Sequence, residues 1–146
     1  MSNTEQTPVP ALYLERTATR QYIARNAKGA EVLVGDGPGH FTPGDLIKLA
    51  IAGCNAMSSD KRLADRLGDD FEQYIGVSGA YDEADDRFTS FEIELVQDLS
   101  GLSESEISDL LRRAGGAIDR NCTIGHTLAH PVPYTRSFTS EKISED

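Results

Sequence analysis

Cys54 and Cys122 are the residues of this 146-residue chain best suited to covalent chemistry, and they stand 68 positions apart in different settings. A cysteine attacks a peroxide only as thiolate, and a free thiol with a pKa of about 8.5 supplies little thiolate at neutral pH. Cys54 lies in the apolar run Leu46-Ile47-Lys48-Leu49-Ala50-Ile51-Ala52-Gly53-Cys54, about three turns from where a helix should begin, so the helix dipole adds little there. Activation must come from another segment. The permanent cations upstream are Arg16, Arg20, Arg25 and Lys28. Should the two cysteines stay apart, they are simply small buried hydrophobes, which is how unmodified cysteine usually packs. A metal site is the weaker reading: Cys122, His126 and His130 share helical spacing, but Pro131 interrupts the helix and no fourth ligand follows.

The elements that must carry these residues are well signalled. From Ala11 to Val34 the chain is rich in Thr, Tyr, Val and Ile around Asn26-Ala27-Lys28-Gly29, which predicts a hairpin of two strands. Thr42, Pro43 and Asp45 form a helix start, with Thr42 as cap, Pro43 at the first helical position and Asp45 as reciprocal partner. The helix that follows is apolar nearly all round as far as Met57, which predicts a central position covered on several sides, and Gly68 is its expected stop. Gln73 to Tyr81 and Arg87 to Leu99 then read as antiparallel strands around Asp82-Glu83-Ala84-Asp85-Asp86, with Phe91, Ile93 and Leu95 alternating against Glu92 and Glu94. Ser103 and Glu106 make a second capping box ahead of an amphipathic helix that ends near Cys122. Val132 to Phe138 reads as a last strand. The expected architecture is α+β in the order β-β-α-β-β-α-β, with one domain over 11–139 and flexible tails over 1–10 and 140–146.

Composition narrows the function further. The net charge of −10, with no basic cluster evident along the sequence, argues against nucleic acid or an anionic membrane surface as a partner. No signal peptide opens the chain and no apolar run reaches the length of a membrane span, so a cytoplasmic location is expected. In that compartment two cysteines are expected to be free, catalytic or redox-cycling. No cofactor is indicated.

Two blocks carry a resemblance. Phe41-Thr42-Pro43-Gly44-Asp45 through Ala52-Gly53-Cys54-Asn55-Ala56-Met57, together with Ala117-Ile118-Asp119-Arg120-Asn121-Cys122-Thr123-Ile124-Gly125-His126, resembles the OsmC/Ohr family, the osmotically inducible and organic hydroperoxide resistance proteins. The resemblance spans roughly residues 11 to 139. It implies an intertwined homodimer whose sheets wrap central helices, and a thiol-dependent peroxidase acting on organic hydroperoxides or hydrogen peroxide. Carried over, Cys54 becomes a sulfenic acid and Cys122 resolves it as a disulfide. An arginine of the N-terminal hairpin, assigned to Arg20 with Arg25 and Arg16 as the other candidates, stabilises the thiolate. Asp45 supplies the carboxylate that holds the arginine. A dithiol reductant, such as a lipoyl-bearing protein, returns the electrons.

The sequence departs from the family pattern at two places. Gly44 stands where many relatives have glutamate, and Thr123 where many have proline after the second cysteine. The competing reading is a non-catalytic ligand-binding or redox-sensing homodimer on the same scaffold, in which burial holds the Cys54 pKa at or above its free value.

Overall fold

The computed structural model describes residues 11–143 and is a mixed α+β structure with antiparallel sheets and three helices. Of the tails expected over 1–10 and 140–146, residues 1–10 and 144–146 lie outside the described residues. The chain forms two compact units, one of residues up to Gly53 with Glu72–Asp98, the other of Cys54–Phe71 with the residues from Leu99 onward.

In the first unit, β1 (Leu12–Ala18), β2 (Gln21–Asn26) and β3 (Glu31–Gly35) form an antiparallel sheet in sequence order. The β2–β3 turn falls at Asn26–Gly29 as predicted: the Asn26 side-chain oxygen accepts from the Lys28 and Ala30 amides, each at 3.0 Å, and Gly29 takes a φ of 87°. The expected single strand before that turn is two strands. A reversal at Thr19 and Arg20 separates them, with Arg20 itself at a φ of 58°. None of the usual turn residues marks the spot, which is why the sequence reads through it. The reversal is held from outside. Gly35, at a φ of 138°, lies so close that a Cβ would sit 2.1 Å from the Arg20 carbonyl oxygen, and the Asp36 amide donates to that oxygen at 3.1 Å.

The other pair in this unit, β4 (Gln73–Asp82) and β5 (Arg87–Gln97), is antiparallel around the acidic turn, where Asp82 accepts from the Ala84 and Asp85 amides. Phe91, Ile93 and Leu95 are half-buried while Glu92 and Glu94 are exposed, the alternation the sequence predicts. Phe88 contacts Tyr81 edge-on and Phe91 at a tilt, and the Lys48 ammonium lies 4.9 Å from its ring centroid.

Helix α1 (Pro43–Leu67) starts and stops where expected. Thr42 Oγ1 accepts from the Asp45 amide and Asp45 Oδ2 from the Thr42 amide, both at 3.0 Å, while Gly68 leaves the helix at a φ of 102°. The coverage expected for α1 on several sides is partial within one chain. Ile51, Ala52 and Leu63 are buried, but Leu49 is 46% and Met57 82% exposed.

In the second unit, α2 (Glu104–Asn121) carries the predicted capping box of Ser103 and Glu106 and buries Leu110, Ala114 and Ala117. Leu63, Leu110 and Ala114 form the core, packed by Leu67, Phe71, Leu99 and Leu102. A further helix, α3 (Thr123–Leu128), follows directly. The strand expected over Val132 to Phe138 is absent: these residues adopt no regular structure, and Val132, Tyr134 and Phe138 are exposed. A strand needs a neighbouring ladder for its amides and carbonyls, and among the described residues none pairs with this segment. The observed order is therefore β-β-β-α-β-β-α-α.

Candidate active site

Helix α1 presents Cys54 half-buried, and the junction of α2 with α3 presents Cys122 at 2% exposure. Both thiols are free. Cys122 serves two helices at once. Its amide donates to the Ile118 carbonyl at 2.9 Å and closes α2, while its sulfur accepts from the Gly125 amide at 3.3 Å and caps α3. Asn55, the neighbour of Cys54 on α1, also donates to the Cys122 sulfur through Nδ2 at 3.4 Å. Below them the buried Ser59 hydroxyl donates to the Asn55 carbonyl at 2.9 Å, so this stretch of α1 is braced by its own side chain.

The Cys54 pKa lies below the ordinary thiol value. The largest cause is donation from the Ile124 amide, followed after the opposing effect of burial by donation from the Cys122 thiol, the Thr123 amide and the Ser58 hydroxyl. Donors of the second unit thus lower the Cys54 pKa, and the Cys122 thiol is near enough to count among them. The sequence leaves this pairing open because α3 is not legible there. Ile124 carries no signal of its own, since a backbone amide donates whatever its side chain, and Ser58 and Asn55 donate through side chains that mark no motif by themselves.

Arg20 and Asp45 belong to the first unit. The exposed Arg20 guanidinium is ion-paired with Asp36, which raises the arginine pKa and lowers that of Asp36. Asp45 is occupied elsewhere, at the Thr42 cap, so the carboxylate paired with Arg20 is Asp36. Arg25 is held by Glu15 at 2.6 Å and Glu31 at 3.0 Å, which raise its pKa further. Arg16 lies in β1 opposite Tyr22. His126 and His130 point ring nitrogens at the Asp119 and His126 carbonyls, at 2.7 and 3.1 Å. These are helix-end contacts.

The model of the OsmC-like protein family matches residues 35–136. The chain belongs to the OsmC/Ohr family. The matched stretch of this OsmC/Ohr protein contains Asp36, Asp45, Cys54 and Cys122 and begins after Arg20. An uncharacterized protein of Mycobacterium tuberculosis (strain ATCC 25618 / H37Rv) is 49% identical over 119 residues, covering 80% of this chain and 87% of that protein. Among solved structures, a protein of Psychrobacter arcticus 273-4 shares 14% identity with a TM-score of 0.68, covering 87% of this chain and 93% of its own. An OsmC-like protein of Mycoplasma pneumoniae shares 12% identity with a TM-score of 0.62, covering 85% and 89%. At these identities the structural likeness is one of fold.

Proposed function

We propose that this OsmC/Ohr protein is a thiol-dependent peroxidase that reduces organic hydroperoxides, and hydrogen peroxide by the same chemistry. The observation that carries the reading is the closeness of Cys54 and Cys122, since Asn55, next to Cys54, donates to the Cys122 sulfur at 3.4 Å, with the Cys54 thiol made more acidic by the donors around it. The ligand-binding alternative expects the opposite direction, since burial alone pushes a thiol pKa up.

In the proposed cycle the Cys54 thiolate attacks the terminal oxygen of the hydroperoxide. The O–O bond breaks, the alkoxide leaves as alcohol after taking a proton, and Cys54 becomes a sulfenic acid. The Cys122 sulfur then attacks the Cys54 sulfur, the S–S bond forms, the S–O bond breaks and water leaves. An external dithiol, of which a lipoyl-bearing protein is one kind, restores both thiols by exchange. Arg20 is the arginine assigned to the peroxide and thiolate, with Asp36 in the carboxylate role first given to Asp45. Asp45 then acts through α1 by fixing its first turn. The working unit is a homodimer.

The stepwise test uses Cys122→Ser, which stops the cycle at the sulfenic acid. Treated with one equivalent of cumene hydroperoxide in the presence of dimedone, this variant should carry the adduct on Cys54, and Cys54→Ser should carry none. Dimedone labelling that is absent from Cys122→Ser, at peroxide levels that oxidise a free thiol, overturns the assignment.

A further inference from the structure

The helical unit has a concave polar surface, which the core residue Leu110 also borders. An open groove of about 760 Å³ runs between the second half of α1 and α2, and Arg62, Arg66, Arg112, Arg113 and Arg120 all line it. These are five of the ten arginines in a chain whose net charge is −10. The clustering follows from helical spacing. Arg62 and Arg66 are one turn apart on α1, while Asp109, Arg112 or Arg113, Gly116 and Arg120 recur at three- and four-residue intervals on α2.

Part of this charge is neutralised in place. Arg66 pairs with Glu106, and Asp109 takes Arg112 at 2.6 Å and Arg113 at 3.1 Å. Asp65 also lines the groove and is paired with Lys61. Arg62 and Arg120 have no ion pair among the described residues. Gly116, which puts no side chain into the groove, leaves the Arg120 guanidinium room; a Cβ there would stand 3.2 Å from it.

We propose that this groove binds a small polyanion, a molecule carrying at least two phosphate or carboxylate groups. Guanidinium groups present paired N–H donors that match such oxyanions and stay charged at every relevant pH. The acidic character of the whole chain opposes this only at long range. At physiological ionic strength charges are screened beyond about 8 Å, so an anion in direct contact is governed by the local excess of arginine. The inference is independent of the peroxidase reading, because none of these residues contacts either thiol as described above.

Calorimetric titration of the full-length protein with pyrophosphate and, separately, with citrate at matched ionic strength tests it. Saturable binding with a Kd below about 1 mM is expected for at least one probe, and which probe binds assigns the phosphate or carboxylate class. Arg62→Gln/Arg120→Gln should weaken that Kd at least about tenfold, because two charge-assisted hydrogen bonds are lost, while Arg87→Gln in β5 should leave it unchanged. Should the double variant fail to fold, Asp65→Asn carries the test with the opposite sign, tightening binding about threefold by removing a nearby negative charge. No saturable binding by either probe, a Kd unmoved by the double variant, or, where Asp65→Asn stands alone, a Kd it does not tighten overturns the proposal.

Discussion

The donors acidifying Cys54 are two backbone amides, a hydroxyl and the other thiol, and none is a full charge. The Thr123 amide is one of them, at the position where many relatives have proline, which has no N–H to give. Thr123→Pro should therefore raise the Cys54 pKa and slow its alkylation by iodoacetamide at pH 7 by up to about tenfold, the worth of one hydrogen bond to a charged group. In the wild type the alkylation rate should rise with a midpoint below that of an ordinary free thiol. Equal profiles for the two proteins would remove Thr123 from the site. The same shift has a sign in stability. A thiol whose folded pKa is depressed stabilises the fold above its unfolded pKa and loses that contribution as pH falls through the folded value. Urea unfolding under reducing conditions should accordingly show the advantage of wild type over Cys54→Ala growing between neutral pH and about pH 9, past the unfolded value.

At the scale of elements, both helix starts, the Gly68 stop and the β4–β5 alternation were legible because each rests on side chains with a local preference. Thr42 with Asp45 and Ser103 with Glu106 make the reciprocal bonds their spacing predicts. The Thr19–Arg20 reversal was not legible, because its conformation is imposed by Gly35 and Asp36, fifteen residues and more downstream. Helix α3 was hidden for a related reason: its cap is a cysteine sulfur, which is not among the common N-cap groups. If Gly35 imposes the reversal, Gly35→Ala should cost about 1–3 kcal/mol, since it combines a positive φ with a backbone clash. Thermal unfolding would measure that loss. A variant as stable as wild type would mean that the turn holds itself.

For the molecule as a whole, what one chain leaves uncovered is as informative as what it buries. Leu49 and Met57 on α1 are exposed, as are Val132, Tyr134 and Phe138 in a segment of no regular structure. The homodimer proposed above gives both features a use, with α1 and the segment after α3 meeting a second copy. Periodicity could show that these residues want covering, but a single sequence does not say by which chain. Because each copy carries a net charge of −10, apolar association works against long-range repulsion, which salt screens. Sedimentation equilibrium should find a dimer that tightens as salt rises from about 20 to 150 mM, and Leu49→Lys should shift it toward monomer. A wild-type monomer at every salt concentration would contradict the assembly.

In the proposed cycle the two cysteines act on each other. Intact-mass and peptide analysis of the fully reduced wild type, after one equivalent of cumene hydroperoxide, measures this most directly. The expected result is the loss of two hydrogens and a single Cys54–Cys122 disulfide within one chain, reversed by dihydrolipoamide. Two intact thiols, beside a competing free thiol that has been consumed, would contradict it.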